Sequence, residues 1–339
     1  MTQINGFGAN AQEFEYPSLV ANIRLKLVLQ QFEIKPATKM VNFKVVKKGA
    51  YLEMAAYSID LRQKILSAWE NFEGTKKKLA KPFTAYALTV RKGAETIVGF
   101  NEAAPKKILS EAAVTGLQPG ESLLGIDFRP ANGLLYGVGS SNRLYTIDPV
   151  TGAATAVGNG QFAVPLTAGA AGFDFNPTVD RIRFVNQAGQ NARLNPDTGA
   201  IVDFDTLTGG IQLDANLAYA AGDRNFGNLP AGVGAGYVNN FAGATSTTLF
   251  VIDTNLDVLV RQDPPNNGVL NTIGSLGIDA GTVLGFDVRS VGGNQTALAA
   301  IEVGGVSGLY NINLTTGQAS IVGQIGDGRG IKGLALTLI

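Results

Sequence analysis

The chain contains no cysteine and no histidine in 339 residues. The first absence excludes disulfides, thiolate zinc sites and thiol nucleophiles. The second removes the commonest metal ligand and the commonest general base, so any chemistry must come from Asp, Glu, Lys, Tyr or Ser. Charge is also scarce, at 16% of residues, where about a quarter is usual. Uninterrupted apolar runs fall well short of the roughly 20 residues a membrane-spanning helix needs. The first residues show neither a basic n-region nor a continuous apolar h-region, so neither a membrane span nor a signal peptide is expected.

What is present is unevenly spread. Residues 1–83 carry 13 Lys and Arg against 7 Asp and Glu, and residues 84–339 carry 14 against 20, so a zero net charge averages two unlike halves. Only 4 of the 43 glycines precede residue 84. The shift predicts a leader of poor order over 1–53, a small helical segment over 54–83, and a glycine-rich domain over 84–339.

Within that domain one stretch, Leu123 to Gly158, sets the pattern. Short apolar runs (LGIDF, LLYGVG, RLYTID, AATAVG) are separated by Pro-Ala-Asn-Gly, Ser-Ser-Asn and Pro-Val-Thr-Gly. These are antiparallel strands punctuated by turn residues, and four such strands make a propeller blade. Two landmarks repeat. A Gly-led inner strand occurs at Gly125, Gly172, Gly236, Gly285 and Gly333, and an apolar strand ends in Asn101, Asp148, Asn195, Asp253 and Asn313. The second landmark recurs at intervals of 47, 47, 58 and 60 residues. Three copies continue as [DN]-x-x-T-G, in which the Asx side chain accepts a backbone N–H and glycine closes the hairpin.

The first copy, from Thr84, lacks a Gly-led strand, whereas the chain ends on one, Ile331 to Ile339. One end supplies what the other lacks. The sequence therefore predicts an all-β propeller of five four-stranded blades, latched by pairing of the C-terminal strand with Thr84 to Val90. Six blades remain the alternative, because Asp203 to Pro230 is long enough to hide more strands, LAYAAG at 217–222 among them.

Several of these residues carry a family resemblance. Gly125 to Pro130, Gly172 to Pro177, Asp180-Arg181-Ile182-Arg183, Asn191 to Gly199 and Gly304 to Tyr310 resemble the DUF4394 family, a bacterial domain of unknown function. The resemblance runs from about Ala85 to the C-terminus. It implies no established activity, and it implies export, since members often follow an export signal that this chain does not show. A second, shorter resemblance lies upstream. Tyr57 to Leu66, Glu73-Gly74 and Lys78 to Lys81 resemble the start of mariner-type insertion-sequence transposases, where they open a DNA-binding helix-turn-helix. Where the recognition helix would follow, this chain has Pro82-Phe83-Thr84-Ala85-Tyr86-Ala87-Leu88, which is strand-like and opens with a helix breaker. Either Arg62, Lys64, Lys76, Lys77 and Lys78 are a residual phosphate-binding face, or the stretch is a truncated mobile-element fragment with a solvated basic face. The missing helix favours the second, and nucleic acid is not the expected partner.

Candidate site residues fall in the repeat. Asp127, Asp174 and Asp287 share one position of the inner strand, which lines a propeller's channel. Three carboxylates there would suit Ca²⁺, although backbone or inter-blade bonding explains the recurrence as well. Arg181 and Arg183 lie on one face of a strand, and with Arg193 on the next they form a candidate anion clamp, or else pair between blades with Asp174 or Asp180. No catalytic constellation is nominated and no cofactor is required. The reading is a monomeric, non-catalytic binding or scaffold module for an unidentified ligand or protein. The alternatives are a metal-supported hydrolase or lyase at the channel mouth and residual DNA binding by the N-terminal fragment.

Overall fold

The computed structural model describes residues 84–338 except Ala168, together with the short paired strands Gln12–Glu13 and Lys26–Leu27. The chain divides into two compact units, Met1–Ala80 and Lys81–Ile339. The helical segment and the basic residues Arg62, Lys64, Lys76, Lys77 and Lys78 expected over 54–83 lie outside the described residues.

From residue 84 onward the regular elements are strands, arranged as five antiparallel blades. Blade 1 joins the two ends of the domain in the order Ile331–Leu336, Ala85–Arg91, Ala94–Phe100, Ile108–Ala113. Blade 2 runs Leu123–Phe128, Leu135–Gly139, Arg143–Ile147, Ala154–Val157. Blade 3 holds Ala171–Asn176, Arg181–Asn186 and Asn191–Leu194. Blade 4 holds Gly232–Tyr237, Leu249–Asp253, Val258–Gln262 and Val269–Ser275. Blade 5 holds Thr282–Val291, Asn294–Val303, Val306–Ile312 and Ala319–Gln324. The first-named strand of each blade touches that of the next, and the fifth contact, from blade 5, returns to blade 1, so the ring is closed.

The latch forms as the sequence predicts. Ile331 pairs with Thr89 and Gly333 with Leu88, and the register continues to Leu336 opposite Ala85. Side-chain and loop bonds extend it, with Thr89 Oγ1 donating to the Gly330 carbonyl at 2.7 Å and Thr337 N–H to the Thr84 carbonyl at 3.1 Å.

Hydrophobic side chains gather between the blades, where adjacent sheets stack face to face. Five buried clusters result, one at each seam. Leu124, Val138 and Leu144 of blade 2 meet Phe173, Ile182 and Phe184 of blade 3, for example. Every residue of Leu123–Phe128 is buried, which is why that strand reads as near-continuous apolar sequence; strands covered on both faces have no polar side to alternate. The outermost strand of the same blade, Ala154–Val157, has no buried residue.

Two parts of the five-by-four plan differ. Blade 3 has three strands, its fourth reduced to a single bridge between Leu194 and Ile201. Asp203 turns the chain away there, accepting from the N–H of Asp205 at 3.4 Å and of Gln212 at 3.0 Å. The candidate sixth-blade strand is instead a two-residue edge. Ala218–Tyr219 adds in parallel to Val269–Leu270 on the outside of blade 4.

Candidate functional site at the ring axis

Each inner strand carries a glycine two residues before the position occupied by aspartate in blades 2, 3 and 5. A Cβ at Gly125 would sit 2.7 Å from the Phe173 Cβ, and one at Gly172 would sit 2.6 Å from the Ala235 nitrogen. Neighbouring inner strands therefore approach too closely for any side chain. That approach brings the following aspartate within reach of the next blade's backbone.

Asp127 accepts from Phe175 N–H of blade 3 at 2.9 Å, and its other oxygen accepts from Phe128 N–H at 2.7 Å. Asp174 accepts from Tyr237 N–H of blade 4 at 3.0 Å. Asp287 accepts from Leu336 N–H of blade 1 at 2.6 Å. Each aspartate thus staples its inner strand to the next one around the ring. Backbone capping and convergence, posed as alternatives by the sequence, hold together: one oxygen from each of the three lies within 4.8 Å of the others. All three residues are at most 1% exposed. Asp174 Oδ2 and Asp287 Oδ1 are buried without a hydrogen-bond partner.

Burial, more than any neighbour, makes ionisation costly here. It pushes Asp287 up to about 6, with the N–H groups of Leu336 and Val288 and the charge of Arg289 tempering the rise. Burial and then the carboxylate of Asp287 hold Asp127 well above the usual range, and burial and both other carboxylates do the same for Asp174.

The structure also shifts the repeat register in blade 4. The residue whose N–H donates to Asp174 is Tyr237, so the glycine equivalent to Gly172 is Gly234, not Gly236. The ladder irregularity confirms this, falling between Gly232 and Gly234 as it falls between Leu123 and Gly125 in blade 2. The aspartate position is therefore held by Gly236 in blade 4, not by Val238, and by Ala335 in blade 1. A side chain at Gly236 would press on Phe286 and Val288 of blade 5, which fill its place.

The arginines are distributed differently from the proposed clamp. Arg183 and Arg193 are cross-strand partners and converge, but on Asp214. Arg183 Nη1 lies 2.6 Å from Asp214 Oδ2, and its remaining donors meet Asn191, Asn266 and Tyr237. Asp214 belongs to the segment that replaces the outer strand of blade 3, so the pair of arginines ties that segment down. Arg181 stands apart, donating to the carbonyls of Val179 and Asp180.

Besides Arg183, whose bonds to Asn266 and Tyr237 reach blade 4, two arginines that sequence reasoning missed, Arg129 and Arg289, bridge blades through ion pairs. Each lies two residues after an axial aspartate, in Gly-x-Asp-x-Arg at 125–129 and 285–289. Arg129 reaches Asp180 and Asp197 of blade 3, and Arg289 reaches Glu102 of blade 1 at 2.6 Å. The shared spacing was the available signal. One motif thus fastens the next blade twice, at its inner strand through Asp and nearer its rim through Arg.

The profile of a domain of unknown function, DUF4394, matches residues 96–335. The chain belongs to the DUF4394 family. Among curated proteins none matches it in sequence. Solved structures similar to this DUF4394 chain include a structural-genomics protein of unknown function from Bacteroides thetaiotaomicron VPI-5482, at 15% identity and a TM-score of 0.42 over 76% of this chain and 66% of that one. The Dos1 propeller is similar at 12% identity and a TM-score of 0.37 over 69% of this chain and 56% of that one. Glutaminyl cyclase from Myxococcus xanthus is similar at 11% identity and a TM-score of 0.39, over 64% and 85% of the two chains. The chain thus spans under two thirds of the first two of these. Among the described residues no helix is long and apolar enough to cross a membrane.

Proposed function

We propose that this DUF4394 propeller is a non-catalytic, monomeric binding or scaffold module. One observation carries the reading: the polar residues with the most chemical promise are engaged in holding blades together. Asp127, Asp174 and Asp287 are buried and each accepts from the next blade's backbone, and Arg183 is consumed by a buried network with Asp214. A nucleophile or general base must reach its substrate to within hydrogen-bond distance, and these groups are at most 2% exposed. Apolar side chains available for contact stand on the insertion between blades 3 and 4, where Leu207 is 95% exposed and Leu229 84%.

The test is a panel of chromogenic glycoside, ester and phosphoester substrates, assayed with and without added calcium. No turnover above a protein-free blank is expected. Turnover that disappears in Asp127→Asn would overturn the reading and favour a metal-supported hydrolase or lyase. The DNA-binding alternative rests on Arg62, Lys64, Lys76, Lys77 and Lys78 and predicts salt-dependent retention of the full chain on duplex DNA. The expected outcome is no retention at physiological salt.

A further inference from the structure

We propose that Asp127, Asp174 and Asp287 bind one calcium ion on the axis of the ring, taken up as the ring closes. The inference goes beyond the binding-module reading and stands independently of it. A structural role in stapling inner strands requires one oxygen from each carboxylate. It does not require the others to meet, yet three oxygens from three blades lie within 4.8 Å of one another. Nor does it account for Asp174 Oδ2 and Asp287 Oδ1, which are shielded from solvent and form no hydrogen bond. Buried polar atoms are almost always satisfied, and two orphaned oxygens in one cluster mark a missing positive partner. Among the described residues no Lys or Arg forms an ion pair with any of the three. Arg289, whose charge is felt by Asp287, directs its guanidinium to Glu102.

The donor chemistry selects the ion. Carboxylate oxygens without histidine or thiolate suit a hard cation. Three oxygens within that spacing can share an ion no more than about 2.8 Å from each, which admits the 2.3–2.6 Å of calcium, and a cage of protein carboxylates suits calcium better than magnesium, which keeps several waters. Backbone N–H groups of Phe175, Tyr237 and Leu336 each hold one oxygen; the other is unpaired in Asp174 and Asp287 and accepts from Phe128 N–H in Asp127, so each aspartate keeps one oxygen outside the inter-blade bonds. Water on the axis completes the coordination shell. Because the aspartates are at most 1% exposed, the ion exchanges slowly in the folded ring and enters most readily during folding.

The test is refolding of the full chain from denaturant with calcium, with magnesium, or with chelator alone, followed by gel filtration in chelator. The calcium sample is expected to retain close to one equivalent by elemental analysis and to melt several degrees above the other two. Asp174→Asn keeps an amide oxygen for the Tyr237 N–H but removes a ligand charge. It should retain at least tenfold less calcium and lose the calcium-dependent rise in melting temperature. Equal melting temperatures in all three wild-type samples, with no retained ion, would overturn the site, as would equal retention of magnesium. Should the variant fail to fold, the wild-type comparison decides by itself.

Discussion

The glycine that closes the [DN]-x-x-T-G hairpin has two reasons to be glycine. The Asx side chains act as the sequence predicts: Asp148 Oδ1 accepts from Val150 and Thr151 N–H, Asn195 from Asp197 and Thr198, and Asn313 from Thr315 and Thr316. Gly152 then takes φ of 76°, and its Cβ would lie 2.0 Å from the Ala113 carbonyl oxygen of the preceding blade. The hairpin of each such blade rests on the outer strand of the one before. Blade 4 breaks the rule where its neighbour does, since blade 3 lacks an outer strand and Asp257 stands at φ of 51°. Gly152→Ala is therefore expected to lower stability by more than the roughly 1–2 kcal/mol of left-handed strain, because a backbone clash adds to it. Asp257→Asn, which retains both the conformation and an acceptor for Ala280 N–H, should change the melt little. Denaturant titration of the two variants checks the contrast, and equal losses would refute the blade-contact argument. At the other seam, Arg289→Ala leaves Glu102 without its partner. Breaking a buried pair costs about 3–5 kcal/mol, and the lower end is expected because the Glu102 side chain is 25% exposed. Arg289→Lys should restore only part, since both guanidinium nitrogens are used, at 2.7 and 2.6 Å.

At the scale of elements, the C-terminal strand is the one whose loss opens the ring. Ile331, Leu334, Ala335 and Leu336 are all buried in Ile331–Leu336, and Leu334 and Leu336 sit in the seam between blades 5 and 1. Each large aliphatic side chain removed forfeits roughly 1.5–3 kcal/mol. Against a typical domain stability of about 5–15 kcal/mol, that loss alone is critical. The ladder with Ala85–Arg91 and the Asp287 bond to Leu336 N–H would go as well. A chain ending at Gly330 is expected to aggregate or to lose its cooperative melt. One that remained soluble and cooperatively folded would refute closure of the ring by this strand.

At the scale of the whole molecule, stability is distributed over five seams instead of one centre. Each seam joins an apolar cluster to polar fasteners, and the axial aspartates serve those between blades 2 and 3, 3 and 4, and 5 and 1. The two compact units divide near residue 80, where charge and glycine content also change. Removing residues 1–83 should leave the thermal melt of the propeller essentially unchanged, by calorimetry of the long and short chains. A large drop would show that the basic stretch contributes to the stability of the ring.

Residue order was enough for the fold class and the latch, and it left the blade number between five and six until Ala218–Tyr219 was placed on the edge of blade 4. Strand period, Asx-and-glycine hairpins and a chain whose two ends complete one blade are local or countable properties, written in the order of residues. It also brought out Asp127, Asp174 and Asp287, because repetition places equivalent residues at equivalent heights around an axis. Tertiary structure alone decided how close they come and which oxygens are left unpaired, since that depends on the packing of glycine against the neighbouring strand. It decided the register of blade 4 too, where Gly234 and Gly236 are indistinguishable until a partner strand fixes the pairing. Asp214, the acceptor shared by Arg183 and Arg193, lies on an irregular segment with no period to follow. Only packing against blades 3 and 4 carried it there.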